Sequence, residues 1–165
     1  MRKAAYSLAV GCKAKVIVEI GVWKGELSQK LLKVPSLKEL HLIDPWKQYP
    51  GCGNLIALNN FTQVYRWAQG RDNVFVHRMT SEHAASTLDI VADFVFIDGD
   101  HAEEAVAIDI ECWGPRVARG GILAGDNYEM VGVYNAVNKM LPKHTVLLEE
   151  QVSQVWVVRK DKGEL

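Results

Sequence analysis

Apolar and polar residues alternate along this chain in blocks of two periods. Short, nearly continuous apolar runs at residues 15–20, 39–43, 74–77, 92–98 and 122–124 are bounded by glycine, proline or acids, and the first, VIVEI, is rich in β-branched residues. Such runs predict strands buried on both faces of a parallel sheet. Between them lie segments with helical spacing: roughly 4–10; 26–33, with leucines at 27, 31 and 32; 55–69, broken by Gly70; the loop and helix of MTSEHAASTL; 102–113, with apolar positions at 105, 106, 108, 110 and 113; and 131–141. Gly120 and Gly121 are expected to turn the chain into the fifth strand, and Pro35 to stop the second helix. Two last strands, 145–148 and 155–158, joined by a short polar turn, complete the pattern. Strand and helix in alternation with a closing hairpin predict an α/β fold: a doubly wound, mostly parallel seven-stranded sheet with an antiparallel final strand and helices on both faces. With 165 residues, 48% hydrophobic and 24% charged, one domain over 1–165 is expected. No internal repeat or low-complexity segment is visible.

The stretch on which the chain is organised is VEIGVWKG, residues 18–25. It reads as strand, tight turn and helix start, the place where open α/β sheets bind ligands outside the carboxyl ends of their strands. Glu19, Gly21 and Gly25 do not make the Gly-x-Gly-x-x-Gly fingerprint that cradles a pyrophosphate, which disfavours a nicotinamide cofactor. A carboxylate at the end of the strand repels phosphate and attracts an ammonium. Asp44 closes the second strand, where an acid can accept hydrogen bonds from both ribose hydroxyls. An adenosine carrying an α-amino acid and a cationic sulfur suits this set.

Four motifs at successive strand ends, VEIGVWKGELS, LHLIDPW, FVFIDGDH and GGILAGDNY, resemble those of the S-adenosylmethionine-dependent methyltransferases of the Rossmann-like class, in particular the small O-methyltransferase-like group called methyltransferase family 24. The resemblance runs from about residue 15 to about residue 130. It implies that Gly21 and Gly25 line the methionine portion of the cofactor, that Glu19 orients that loop or the amino group, and that Asp44 holds the ribose. It also implies that Ser81 with Glu82 lies near the adenine, that Trp46 flanks the ring, and that Asp98 belongs to the cofactor crevice. Each residue also has a plainer use. Gly-x-x-x-Gly can simply pack helix on sheet, Asp44 can cap a turn before Pro45, Ser81 can be a helix N-cap, and Trp46 can be core.

A second constellation follows the fourth and fifth strands: Asp98, Asp100 and His101, then Asp126 and Asn127. Neighbouring strands lie about 4.8 Å apart, so these groups meet at one edge of the crevice. Asp98, Asp126 and Asn127 are hard oxygen donors suited to Mg²⁺, or Ca²⁺ or Mn²⁺, and not to zinc. Asp98 and His101 are therefore the candidate catalytic pair. A bound dication would acidify a substrate hydroxyl, and His101 would take its proton. In the resembling metal-dependent enzymes the residue three after the first metal aspartate is the general base, a lysine in catechol-type enzymes and a histidine in several sugar-modifying ones. The Asp126–Asn127 pair matches the catechol type, so the sequence mixes the two patterns. Both aspartates also have the plainer use of capping the helices that follow. His41, His77, His83 and His144 show no partners in the sequence.

The net charge of -1, with both signs interspersed, argues against a broad nucleic-acid or membrane footprint. Three cysteines at no metal-like spacing, Cys12, Cys52 and Cys112, predict free thiols and a reducing, cytoplasmic setting. The start MRKAAYSLAVGC faintly resembles a lipoprotein cleavage site, but an amphipathic first helix is the expectation. The reading is thus a methyltransferase for a small hydroxylated acceptor, with S-adenosylmethionine and a divalent cation. Its alternatives are a metal-independent enzyme acting on nitrogen or a larger acceptor, and a non-catalytic cofactor-binding protein. The acceptor pocket should be shallow unless the loop at 47–54, the helix after it or a second subunit of a homodimer covers it.

Overall fold

The computed structural model describes residues 3–48, 51–149 and 153–161. Its seven strands are β1 (Val16–Ile20), β2 (Glu39–Ile43), β3 (Val74–His77), β4 (Ala92–Ile97), β5 (Val117–Gly125), β6 (Thr145–Glu149) and β7 (Ser153–Arg159). They form one sheet in the order β3-β2-β1-β4-β5-β7-β6. The first five are parallel, and β7 runs antiparallel between β5 and β6. This is the predicted sheet, with its direction reversing at β1: the chain moves outward through β2 and β3, then returns to the other side through β4 and β5. The crevice above that reversal is where an open α/β sheet has room for a ligand. Residues 150–152, where the polar turn of the final hairpin was expected, lie outside the described residues.

Six α-helices cover the sheet: α1 (Lys3–Gly11), α2 (Ser28–Leu31), α3 (Asn54–Ala68), α4 (Ser81–Thr87), α5 (Glu103–Trp113) and α6 (Val131–Met140). One core, with Ile17, Leu27, Leu31, Leu40, Leu42, Val64, Phe94 and Phe96, lies under α1, α2 and α3. The other, with Val18, Ile43, Ala84, Val95, Val106, Ile110, Trp113, Leu123 and Trp156, lies under α4, α5 and α6. Adjacent strand residues alternate between the two, so each central strand is buried on both faces, as its unbroken apolar run requires.

Three expectations change. The helix expected over 26–33 shrinks to α2, because Lys30 N–H bonds Leu27 O at 2.8 Å and Lys33 N–H bonds Lys30 O at 2.9 Å, tightening both ends to three-residue turns. Gly120 and Gly121 lie inside β5, which begins at Val117, and not before it. The register with β4 shifts between Ala92 and Phe94, and a Cβ on Gly121 would stand 2.8 Å from the carbonyl oxygens of Ala118 and Asp93. The third change is on α5. Its buried positions are Val106, Asp109, Ile110 and Trp113, whereas Ile108 is 41% exposed.

Candidate active site

The end of β1 is pressed against the end of β4. Gly21 N–H bonds Ile43 O at 2.9 Å and Asp98 N–H bonds Ile20 O at 2.8 Å, so the ladder continues one residue past each strand. Gly21 has φ +84°, and a Cβ there would stand 2.1 Å from the Asp98 carbonyl oxygen. Only glycine serves, for both reasons. At Gly25 a Cβ would meet the Val64 side chain of α3 at 3.2 Å, so this second glycine is a helix-packing position. Between them Trp23 takes a left-handed conformation, φ +54°.

Asp44 holds that turn. Its two oxygens accept the backbone N–H of Trp23 at 2.8 Å and of Trp46 at 2.6 Å, tying the loop after β1 to the loop after β2. Burial raises its pKa above the ordinary carboxylate value, and the amides of Trp23, Trp46 and Val22 oppose the rise. Glu19 stands one residue inside β1, fully buried, and accepts the Ser28 hydroxyl at 2.6 Å. It thereby fixes the start of α2 to the strand and orients the loop between them. Trp46 is 3% exposed, tilted against Phe61 of α3, with its indole N–H on Trp23 O at 2.9 Å. The expected adenine-flanking residue is placed in the core, because its backbone at φ +40° turns the ring inward beneath the loop.

On the α4 side, the N-cap of α4 is Thr80, whose hydroxyl accepts the N–H of His83. Ser81 is therefore not the cap; its hydroxyl donates to Asp109 of α5, and its carbonyl accepts the Trp113 indole N–H at 3.1 Å. Burial pushes Asp109 up to about 6, with the Ser81 hydroxyl opposing and the charge of Asp100 adding to the rise. Glu82 is exposed in the first turn of α4 and does not join the pair.

At the ends of β4 and β5 the second constellation is assembled in part. Asp126 N–H bonds Ile97 O at 3.1 Å, bringing the two strand ends level. His101 Nε2 lies 4.0 Å from Asp98 Oδ1, an ion-pair contact longer than a hydrogen bond. The Asp98 carboxylate raises the imidazole pKa above its ordinary value, burial opposes, and Asp100 and Asp126 add to the rise. Asp126 is buried, with one oxygen accepting Asn127 N–H at 2.8 Å. Asn127, at φ +59°, turns its side-chain nitrogen to Glu129 Oε1 at 3.3 Å. Asp100 accepts Ala102 N–H at 3.0 Å in the turn before α5, whose N-cap residue is Ala102 and has no side-chain cap, so the capping role conceivable for Asp98 is not used. Among the described residues no group of three or more His, Cys, Asp and Glu is arranged to hold a metal ion.

The histidines expected to lack partners mostly have them. His41 Nδ1 lies 3.1 Å from His77 Nε2 and its Nε2 3.2 Å from Glu39, and His144 bonds Leu141 O and the Tyr128 hydroxyl. Burial and the neighbouring His41 push His77 down to about 4. The three cysteines are free, as expected. No helix among the described residues is long and apolar enough to cross a membrane.

A glycine turn pressed on the neighbouring strand, an acid bridging two loops and a histidine between carboxylates thus occupy the carboxyl edge of an α/β sheet. The family described as a methyltransferase domain, methyltransferase family 24, matches residues 18–128. The chain belongs to this family. It is accordingly an S-adenosylmethionine-dependent methyltransferase of Rossmann-like fold. Solved structures agree on that fold. An rRNA methylase from Streptococcus thermophilus aligns over 98% of this chain and 99% of its own, at 16% identity and a TM-score of 0.70. An O-methyltransferase from Bacillus cereus, solved in complex with SAH, covers 96% and 80% at 17% identity and 0.67. The N-methyltransferase NodS from Bradyrhizobium japonicum covers 96% and 96% at 11% identity and 0.65. No curated protein matches the sequence.

Proposed function

We propose that this family member transfers the methyl group to the oxygen of a small hydroxylated acceptor, a phenol, catechol or sugar, at the end of β4. The observation that carries the reading is the imidazole of His101 set among the carboxylates of Asp98, Asp100 and Asp126 beside the first turn. The cofactor spans that turn, its methionine portion over Gly21 and Gly25 and its ribose on Asp44, whose carboxylate has acceptor capacity beyond the amides it already takes. Its base lies toward Ser81, on the α4 side. Glu19 acts through Ser28, shaping the loop from below.

In the chemistry of its donors, though not as a cluster preassembled among the described residues, the site also suits a hard divalent cation. Asp98 and Asp126 supply carboxylates, and because Glu129 engages the Asn127 nitrogen, the amide oxygen is the atom Asn127 has to offer. Two carboxylates suffice for Mg²⁺, which keeps waters and substrate oxygens as its other ligands. Such a cation would lower the pKa of a hydroxyl bound to it.

His101 must be neutral to accept the acceptor's hydroxyl proton on Nε2. The oxygen lone pair then forms the new C–O bond as the methyl–sulfur bond breaks, its electrons returning to sulfur as the thioether. In-line placement of oxygen, methyl and sulfur can supply roughly 7–11 kcal/mol of the barrier. Exposed Met130 and Val131, close behind Asn127, give the rim an apolar side for the body of a small acceptor. The cytoplasm is the compartment that suits three free thiols.

The test is His101→Ala against a panel of phenols, catechols and sugars with labelled S-adenosylmethionine. Turnover should drop about 10²–10⁴-fold, the range of general-base catalysis, with affinity for S-adenosylhomocysteine nearly unchanged. Equal turnover removes His101 from the mechanism. Activity unaffected by chelator excludes the cation, and methyl transfer to amines but not hydroxyls excludes the acceptor class.

A further inference from the structure

Asp109 lies outside everything assigned above. It is 6% exposed, projects from the sheet-facing side of α5, and its two oxygens have different surroundings: Oδ1 takes the Ser81 hydroxyl, and Oδ2 stands 3.6 Å from where a side chain on Gly99 would begin. Gly99 follows Asp98 at the end of β4, and Ser81 opens α4 after β3. These two segments wall the half of the crevice on the α4–α5 side. Trp113, one turn after Asp109, holds the Ser81 carbonyl at 3.1 Å, so α5 grips the start of α4 at both the carbonyl and the hydroxyl of one residue.

A serine hydroxyl has a single proton and two lone pairs. Thr80 caps α4, so no helix amide claims the Ser81 hydroxyl oxygen, and its proton goes to Asp109. Above pH 6, where Asp109 is ionised, the carboxylate only accepts, and the direction of this hydrogen bond is fixed. What Ser81 then offers to the crevice is lone pairs alone.

We infer that Asp109 is a positioning residue that presents Ser81 to the cofactor's base as a hydrogen-bond acceptor, selecting a purine whose exocyclic group is an amine over one whose exocyclic group is an oxygen. This deepens the cofactor reading above and rests on it. Adenine's amino group donates to such an acceptor. Hypoxanthine's oxygen at the same position meets lone pairs with lone pairs.

The experiment compares the binding of S-adenosylhomocysteine and S-inosylhomocysteine by titration calorimetry. The unaltered protein should prefer the adenosyl compound on the order of tenfold or more, one well-placed hydrogen bond. Asp109→Leu, which frees the Ser81 proton to point either way, should bring the ratio near one, whereas Asp109→Asn, whose amide oxygen still accepts, should restore the preference. A structural role alone would weaken both compounds equally and leave the ratio in place. An unchanged ratio in Asp109→Leu overturns the inference. If that variant does not fold, Ser81→Ala decides: loss of the preference supports the inference and its retention overturns it. An unaltered protein that binds neither thioether overturns the cofactor reading itself, and this inference with it.

Discussion

Replacing Gly21 by alanine tests whether the first turn is held by its backbone alone. Two costs add at this position. An L-residue at φ +84° costs roughly 1–2 kcal/mol. The new methyl would also lie 2.1 Å from the carbonyl oxygen and 2.4 Å from the carbonyl carbon of Asp98, and 2.6 Å from the Gly99 Cα. All three are backbone atoms of a segment bonded to β1, so relief requires β1 and β4 to separate, an overpacking cost of about 1–3 kcal/mol. The sum, about 2–5 kcal/mol, is a large part of a domain's stability and corresponds to roughly 4–20 °C in Tm at this chain length. Gly70 provides the control. Its φ is +76° and nothing lies within 4 Å of its would-be Cβ, so Gly70→Ala should cost only the backbone part. Urea unfolding of both variants separates the terms. In Gly21→Ala the affinity for S-adenosylhomocysteine should also fall, because the separation opens between Gly21 and Asp98, whereas Gly70→Ala should bind normally. Equal losses of stability in the two variants would refute the claim that close approach to β4 dictates this glycine.

Ser28→Ala removes the hydroxyl that donates to the fully buried Glu19 carboxyl group; unfolding should show a loss of about 1–3 kcal/mol, and a loss below about 0.5 kcal/mol would mean that Glu19 does not depend on α2. Asp109→Asn should raise stability in a pH-dependent way. The folded carboxyl titrates at about 6 against an ordinary 3.8, so between these values the folded state holds more protons than the unfolded state and stability falls as pH rises. The full penalty, about 3 kcal/mol as an upper bound, is present well above pH 6, and relief appears as pH drops through 6 toward 4. The variant minus the unaltered protein should therefore grow from little at pH 4.5 to its maximum near pH 8 in denaturant titrations; a difference flat with pH would contradict the assignment.

Strand ends were the legible part of this molecule. A run buried on both faces is mostly apolar, so an acid directly after it marks the point where chain leaves sheet; Asp44, Asp98 and Asp126 are legible that way, and parallel pairing brings them to one edge. Trp46 was harder, because the choice between core and ligand face depends on a left-handed backbone that nothing local to LIDPW announces. Asp109 was missed for a different reason. The apolar pattern of α5 includes Ile108, but its buried stripe is Val106, Asp109, Ile110 and Trp113, the spacing of one helical face with an acid in its second place. That acid was the available signal. Burying a carboxylate without a partner costs several kcal/mol, so an acid on an otherwise apolar stripe implies a partner somewhere on the element it packs against. The partner here is Ser81, 28 positions earlier and on another helix. Its identity follows only from the way the chain crosses from β3 over β2 and β1 to β4, which lays α4 beside α5. The stripe could have announced that a polar contact exists, and only the fold could say that it reaches the wall of the crevice.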